Sequence, residues 1–268
     1  MKFTSNVLLA LAVILIGGLL SSNIILKREY DKVDKSDIYW NYHKILQQPF
    51  KYIKIIGGNG TRIAFEQSEN YSVRILQEWE RYHGGKLQAH ITNDTLYMNF
   101  DYIAPTPYDF FYIKNTTTVR IFSPELLSFD GFNTNFEMFK LKQKSMNVSL
   151  TGRSKFEVES MLRSLDSITV FQRDSSEVVF EMSPDYKPVK SAEKTKSATI
   201  TIGSSPSDMP SLNQIKSPEA MSIKTVKANL QGYSLLDLGH AQIDSLRLSI
   251  ADSSAIIISG GALKKVVK

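Results

Sequence analysis

The sequence contains no cysteine among its 268 residues. This absence excludes disulfide frameworks, thiolate zinc sites, iron–sulfur clusters, a cysteine nucleophile and a lipid-modified N-terminal cysteine. Histidine is scarce, with four residues, which leaves little material for a metal site. Charge of one sign is not concentrated either: 32 basic and 27 acidic residues give a net charge of +5, without a run of five or six like charges. The composition therefore argues against nucleic-acid binding.

Charge is absent from one long segment near the N-terminus, residues 3–26. Its core, residues 7–20, is almost purely apolar, and a membrane-spanning helix needs about 20 such residues. We therefore predict an uncleaved transmembrane anchor over residues 7–26, after a short tail at 1–6. A cleaved signal peptide and a buried helix are the alternatives. A signal peptide has an apolar region of about 7–15 residues and a small-residue cleavage site, and we find no convincing one here.

The orientation of this anchor does not follow simply from its flanking charges. Lys2 lies on one side and four basic residues lie on the other, at 27, 28, 32 and 35. Long domains, however, cross membranes largely regardless of charge, and a cysteine-free body suits a non-reducing compartment. We predict a single-pass inner (cytoplasmic) membrane protein with a periplasmic, extracytoplasmic C-terminal domain, joined to the anchor by a juxtamembrane linker at 27–48.

Alternating apolar and polar residues predict strands from residue 49 onward. Tyr52–Ile56 and Thr61–Phe65 flank a Gly-Gly-Asn-Gly turn, in which Asn59-Gly60 predicts a β-hairpin. The same glycines do not suit a phosphate-binding loop, because the Gly-Lys-Ser/Thr ending and the following helix are missing. Residues 71–82 are the best helical candidate, but β-branched residues and flanking turns favour a strand. We predict an N-terminal β-section with hairpins over 49–122.

The second half of the chain contains an internal repeat. Residues 166–181 align without gaps on 244–259, with five of sixteen positions identical, and 150–158 align on 230–238. Short strands separated by polar corners recur after about 20 residues, a pattern typical of stacked coils. We predict an all-β fold, a single-domain β-helix (solenoid) preceded by one transmembrane helix. The coils occupy 123–268, with an inserted loop region at 183–227; an antiparallel sandwich is the alternative.

Four segments share a pattern with known envelope proteins: Phe50–Phe65, Ile91–Met98, Val119–Gly131 and Ser253–Gly261. In these segments the sequence resembles the "putative auto-transporter adhesin, head GIN domain" family of bacteria. The resemblance covers roughly residues 49–268. It implies an elongated β-helical domain in the cell envelope and brings no catalytic residues. The chain departs from the family in its Asp-Ser-Ser corners, in the interruption at 183–227, and in carrying a membrane anchor.

An aromatic loop with two prolines is the best candidate for ligand binding. Aromatic rings exposed at a loop stack on sugars or contact a protein partner, whereas packing over the end of the fold is the structural alternative. The candidate contact residues are Tyr102, Tyr108, Phe110, Phe111 and Tyr112. The sequence suggests no catalytic, cofactor-binding or metal-binding residues.

Aspartates at corresponding positions of the repeat raise a second functional hypothesis. Paired carboxylates would cleave polysaccharides, as some β-helix enzymes do. Aspartate also bonds to nearby backbone groups in turns, and recurrence at equivalent positions is what structural corners produce. We therefore favour a turn-forming role for these residues, which are Asp166, Asp174, Asp244 and Asp252.

Two further patterns favour structural interpretations. His83 and His90 flank a Gly-Gly turn close to Glu78 and Glu80, and two histidines with a carboxylate would hold a metal; solvent-facing positions are the prediction. Residues 191–194 have the Ser-x-x-Lys spacing of acylating serine enzymes, but they lie in a lysine-rich segment that lacks a buried helix start.

These inferences together predict a membrane-anchored, extracytoplasmic β-helical module that is not an enzyme. We expect adhesin-like binding of a protein or glycan in the bacterial cell envelope, without a cofactor and without nucleic acid. The alternatives are a polysaccharide-degrading enzyme that uses the aspartates, and a structural or signalling-associated envelope protein.

Overall fold

The structure, a computed structural model, describes residues 2–32, 34, 36–101, 116–139, 142–159, 164–181, 222–239 and 241–258. The chain divides into two compact units, residues 1–43 and 44–268. The first unit contains the long helix α1 (Lys2–Asp31), and the second contains a short helix, α2 (Gln77–Tyr82), and nearly all of the strands.

Helix α1 continues for 30 residues without a break. At a rise of about 1.5 Å per residue it is longer than the hydrocarbon core of a bilayer, which is about 30 Å thick. It is the one helix among the described residues that is long and apolar enough to cross a membrane. Its large side chains are exposed, as at Leu9 and Ile14, so it is not a buried core helix. A helix of this kind is a membrane anchor or a signal sequence.

The described residues include seventeen strands. In chain order they are β1 (Tyr42–Leu46), β2 (Tyr52–Ile56), β3 (Ile63–Gln67), β4 (Ser72–Leu76), β5 (Leu87–Thr92), β6 (Thr95–Phe100), β7 (Val119–Ser123), β8 (Ser128–Phe132), β9 (Asn135–Phe139), β10 (Lys142–Thr151), β11 (Lys155–Glu159), β12 (Ser164–Gln172), β13 (Glu177–Glu181), β14 (Ser222–Leu230), β15 (Leu235–Asp237), β16 (Gln242–Ile250) and β17 (Ala255–Ile257).

The strands form two large sheets. The first, sheet A, has nine strands in the order β1-β4-β7-β3-β9-β11-β13-β15-β17. The second, sheet B, has eight in the order β16-β14-β12-β10-β8-β2-β6-β5. From β8 onward, consecutive strands lie in alternate sheets, and each pairs in parallel with the strand two places further along the chain. By contrast, β4–β7 and β5–β6 are antiparallel pairs. Both sheets are therefore mixed.

The prediction of an all-β, single-domain β-helix is wrong. The chain is mixed α/β, with an N-terminal helix, a second helix inside the strand region, and two large mixed sheets. Antiparallel pairs occur in both sheets, so one repeating parallel coil does not describe the fold. The alternating pattern predicts strands correctly, but it carries no information about the direction in which they pair. The antiparallel-sandwich alternative is also wrong, because most of the described strand pairs are parallel.

The hairpin predicted at Asn59-Gly60 is also absent, because β2 lies in sheet B and β3 lies in sheet A. A two-residue hairpin of type I′ needs positive φ at both central residues. Here the positive φ angles occur earlier, at Gly57 and Gly58, so the chain crosses from one sheet to the other. A hairpin of this type does join β5 to β6, where Asn93 and Asp94 have φ of 50° and 57°.

Residues 71–82 divide into a strand and a helix, where the sequence predicts a strand alone. Strand β4 is followed directly by α2, whose sequence Gln-Glu-Trp-Glu-Arg-Tyr consists largely of good helix formers. Trp79 of α2 is buried and meets Phe100 of β6 edge-on, with ring centroids 6.1 Å apart. The helix thereby covers the apolar interior beside β6.

The internal repeat corresponds to the register of parallel strands. Ser167 of β12 lies beside Thr225, which in turn lies beside Ser245 of β16. Positions that match in the repeat thus occupy one column across the sheet, facing the same way. Strand β14 begins at Ser222, inside the segment 183–227 expected as an inserted loop; residues 182–221 lie outside the described residues.

The core lies between the two sheets. Phe129 of sheet B stacks on Phe136 of sheet A, with ring centroids 4.0 Å apart, and Phe156 of sheet A lies 5.5 Å from Phe129. All three rings are fully buried. Contacts of this kind join the two sheets into one packed unit.

Candidate functional site

A cleft of about 300 Å³ lies where the segment after β2 meets helix α2 and the ends of β6 and β8. It brings together residues that are distant in sequence but close in the fold. Its apolar wall consists of Ile56, Trp79, Phe100 and Phe132, and its polar wall consists of Thr61, His83, Asn99, Asp101 and Asn133. The backbone of residues 57–60 closes one side.

This side of the cleft requires glycine. Gly57 has φ of +82°, and a Cβ atom there would lie 2.6 Å from the carbonyl oxygen of Phe100. Gly58 has φ of +86°, and its Cβ would lie 3.0 Å from the Phe100 ring. Both the backbone conformation and the close approach to Phe100 therefore exclude larger residues. The glycines allow the loop backbone to form the wall of the cleft.

Hydrogen bonds hold the loop to its neighbours. The Gly57 N–H donates to the Phe132 carbonyl at 2.8 Å, and the Asn59 N–H donates to the Asn133 carbonyl at 2.9 Å. The Asn135 amide nitrogen donates to the Asn59 carbonyl at 2.7 Å. Because the loop is tied at several points, the cleft is largely preformed, as ligand sites usually are.

Helix α2 supplies the opposite wall. The imidazole of His83 stacks on the Trp79 indole, with ring centroids 4.8 Å apart and an angle of 20° between the planes. The His83 Nδ1 atom lies 3.2 Å from the Trp79 carbonyl oxygen, so one ring nitrogen is engaged with the helix backbone. This arrangement fixes the orientation of the ring at the edge of the cleft.

The charge of the cleft limits the ligands that suit it. Asp101 is its one carboxylate, and neither lysine nor arginine is among the residues that line it in the described structure. Anionic ligands are normally held by basic side chains or by helix N-termini. The lining, which combines aromatic rings, amides and backbone groups, suits an uncharged ligand with both apolar and hydroxyl-bearing faces.

The cleft adjoins an exposed surface of sheet B, which we call the aromatic face: Tyr52, Ile56, Tyr97 and Phe132. These side chains are between 36% and 45% exposed. The ion pair of Lys54 with Asp130, Nζ to Oδ2 3.4 Å, lies among these side chains, and Lys54 is directly beside Tyr97. Ile56 lies beside Phe132 on one side and Asn99 on the other, which joins this face to the cleft. His90 stacks on Tyr97, with centroids 5.2 Å apart.

The aromatic loop predicted as the binding site lies outside the described residues. This applies to all of its candidates: Tyr102, Tyr108, Phe110, Phe111 and Tyr112. Asp101 is the last described residue before this loop, and it lines the cleft. The loop thus stays a prediction, and the cleft is a site that the sequence did not reveal.

The structure places the repeat aspartates in two settings, inside strands and in turns. Asp166 forms an ion pair with Lys224, Nζ to Oδ1 2.9 Å, and the register places Lys224 between Asp166 and Asp244. Asp174 has φ of 66°, and its carboxylate accepts a hydrogen bond from the Gly152 N–H at 3.0 Å. Asp252 lies exposed in a turn. Asp174 and Asp252 lie in turns, as the sequence predicts. The turn-forming interpretation is wrong for Asp166 and Asp244, which lie inside β12 and β16, where parallel register rather than a turn gives them equivalent positions.

The two histidines do not form a shared site. His83 lies against Trp79 and His90 against Tyr97, on separate elements. Among the described residues, no group of three or more histidine and carboxylate side chains is arranged to hold a metal. The Ser191 and Lys194 pair lies outside the described part of the chain.

The chain matches no protein-family model and no curated protein. Solved structures give distant likenesses. A "putative adhesin" from Parabacteroides distasonis shares 12% identity, with a TM-score of 0.46 over 81% of this chain and 71% of that chain. A "putative adhesin" from Bacteroides fragilis shares 11%, with a TM-score of 0.39 over 81% and 95%. A "putative lipid binding protein" from Parabacteroides distasonis shares 11%, with a TM-score of 0.34 over 81% and 92%. The resemblance to the head GIN domain family therefore stays a prediction, and the ligand must be inferred from the residues of this chain.

Proposed function

We propose that this protein is a non-enzymatic, adhesin-like binding module of the bacterial envelope that retains an uncharged glycan in the cleft beside Trp79. The observation that carries the proposal is the cleft itself, which has aromatic and amide walls and neither lysine nor arginine among its described lining residues. Sugars present apolar C–H faces and hydroxyl edges, which match such walls.

The adjoining aromatic face supports a ligand longer than one sugar. Tyr52, Tyr97 and Phe132 are exposed on the same face of sheet B, around the Lys54–Asp130 ion pair, and Phe132 also lines the cleft. A glycan chain held at one end in the cleft would lie across these rings. Aromatic residues of this kind are also typical anchors in protein interfaces, so a glycoprotein is a suitable source of the glycan.

We further propose that α1 is retained as a membrane anchor and that the second unit is extracytoplasmic. The support is the length and apolar character of α1 and the absence of cysteine from the chain. Protease treatment of intact spheroplasts tests this orientation. We expect the second unit to be digested from outside; a unit that is digested only after lysis would contradict the proposed orientation.

A matched pair of amide substitutions tests the cleft. Asn99 lines the cleft, and Gln88, its neighbour on β5, does not. Both side chains are exposed, so neither substitution should affect folding. We expect Asn99→Ala to weaken retention on an immobilised neutral glycan array about tenfold, because one lost hydrogen bond costs about 1 kcal/mol or more. Gln88→Ala should bind normally; equal effects of the two substitutions would contradict the assignment.

The aromatic loop remains part of the proposal because its first residue, Tyr102, directly follows Asp101 at the cleft. Substituting Tyr108→Ala together with Tyr112→Ala should weaken glycan retention while leaving thermal unfolding unchanged. Unaltered retention would remove the loop from the binding site and leave the cleft as the site.

A further inference from the structure

The far edges of the two sheets, formed by β16 and β17, expose side chains that belong to the core. In β14 the inward-facing Val226, Ala228 and Leu230 are 0%, 6% and 0% exposed. Their neighbours in the same columns of β16 are Leu246, Leu248 and Ile250, of which the last two are 38% and 44% exposed. These residues face the interior by register, yet they are only partly covered.

The backbone of the same edges is also available. Strand β16 ends sheet B and β17 ends sheet A, and among the described residues no strand pairs with their outer sides. Natural edge strands are usually protected by proline, bulges or several charges. Strand β16 contains no proline and two charged residues, Asp244 and Arg247, of which only Arg247 lies within its exposed apolar part, Leu246–Ile250. The opposite end of the second unit differs, because α2 covers the interior there through Trp79.

We propose that β16 and β17 form a homotypic interface, with a second copy of this chain as the occupant. The partner must offer two strand edges, one to pair with β16 and one to pair with β17, separated by the distance between the two sheets. It must also offer apolar side chains that cover the exposed apolar residues of β16. A single bound peptide would satisfy one sheet only. The same end of a second copy presents both edges and the same apolar side chains, and it does so with the two-fold symmetry typical of dimers.

One antiparallel register brings the exposed apolar side chains of the two copies together. In an antiparallel arrangement centred on Leu248, that residue lies opposite Leu248 of the second copy. Leu246 then lies opposite Ile250, and Arg247 lies opposite Ser249. Apolar residues face apolar residues over Leu246–Ile250, whereas beyond that stretch Asp244 falls opposite Asp252, which lies exposed in the turn after β16. A register centred on Arg247 would instead place two like charges directly opposite each other, which is unfavourable.

The interface is small, so we expect weak association in solution. Two chains held at a membrane, or at facing membranes, have a high local concentration, which converts a weak contact into a stable one. The interface formed by β16 and β17 is separate from the glycan cleft, which lies among β2, β6, β8 and α2. An adhesin-like module would thereby have two separate binding surfaces.

The absence of native cysteine allows a direct test with single-cysteine variants of the full chain in detergent. Leu248→Cys should be cross-linked to a dimer by a short bismaleimide. Ile56→Cys is the matched control, because Ile56 is 44% exposed on an outer sheet face away from this edge. It should react with maleimide but stay monomeric. Leu248→Lys should weaken dimerisation at least tenfold in sedimentation measurements, since it places two charges at the two-fold axis.

Two results would overturn the proposal. A Leu248→Cys chain that reacts with a monofunctional maleimide but forms no cross-linked dimer has a free edge without a partner. A Leu248→Cys chain that does not react at all has its edge covered by its own residues. In a Trp40→Phe background, an unchanged emission spectrum of the buried Trp79 in each variant shows that folding is intact.

Discussion

Phe129 provides the most direct test of how the two sheets are held together. Its ring is 0% exposed and contacts Phe136 and Phe156 across the interface between the sheets. A buried phenylalanine removes about 150–250 Å² from water, which at about 25 cal/mol per Å² amounts to roughly 4–6 kcal/mol. Measured losses for Phe→Ala in cores are about 3–5 kcal/mol. We therefore expect Phe129→Ala to lower the free energy of unfolding by about 4 kcal/mol.

Phe132→Ala is the matched control. It changes the same residue type on the same strand, but Phe132 faces outward and is 45% exposed. Roughly half of the area is at stake there, so we expect a loss of about 2 kcal/mol or less. Urea unfolding of the full chain, followed by Trp79 fluorescence in a Trp40→Phe background, measures both. Equal losses for the two variants would refute the reasoning that Phe129 joins the sheets.

Three further predictions concern the loops and the surface. Gly57→Ala should lower the free energy of unfolding by about 2–3 kcal/mol, because φ is positive there and the new Cβ would collide with the backbone of Phe100. Gly85 also has positive φ but open space around it, so Gly85→Ala should cost only about 1 kcal/mol. Chemical denaturation measures both losses. Asp174→Ala should cost about 1–2 kcal/mol in the same assay, because alanine disfavours the left-handed conformation and the Gly152 N–H loses its acceptor. Asp174→Asn should be nearly neutral, since asparagine tolerates this conformation and keeps an acceptor oxygen. The Lys51 ammonium donates to the Glu125 carboxylate, Nζ to Oε1 2.7 Å, which raises the pKa of Lys51 above its ordinary value of 10.5. The stabilisation from this raised pKa is present up to about pH 10.5 and is lost as the pH rises through the raised value; NMR titration should show the Lys51 pKa fall in Glu125→Gln.

The sequence predicts the individual elements well where one local rule decides. The charge-free run near the N-terminus predicts α1, and alternation of apolar and polar residues predicts most of the strands. The repeat predicts which positions share a column, because side chains stacked in a parallel register experience the same burial. Asp174 is another such case: a turn-forming aspartate is recognisable from its position alone.

Pairing and the cleft could not be predicted, because both depend on distant residues. The Asn59-Gly60 dipeptide is a hairpin signal, but the preceding Gly57 and Gly58 take the positive φ angles and send the chain to the other sheet. The close approach that makes Gly57 necessary involves Phe100, which is more than forty residues away in sequence. The sequence does contain one signal of this geometry: the segment has three glycines, Gly57, Gly58 and Gly60, which is more than a two-residue hairpin turn needs.

Helix α2 fails as a prediction for a related reason. It has six residues, too few to establish a helical period, and it follows strand β4 without an intervening turn. Its good helix formers are too few to make a stable helix alone, and the buried Trp79 adds the contact with Phe100 that holds it in place. A lone tryptophan among charged residues was the one sequence signal for a packed position.

Binding of an uncharged oligosaccharide at the Trp79 cleft is the central claim, and the fluorescence of Trp79 tests it most directly. The chain has two tryptophans, so Trp40→Phe leaves Trp79 as the only emitter. Titration with neutral oligosaccharides should change its emission in a saturable way, and Asn99→Ala should shift the midpoint about tenfold, the equivalent of about 1.4 kcal/mol. The absence of any change with neutral oligosaccharides, or a tighter response to acidic ones, would contradict the account.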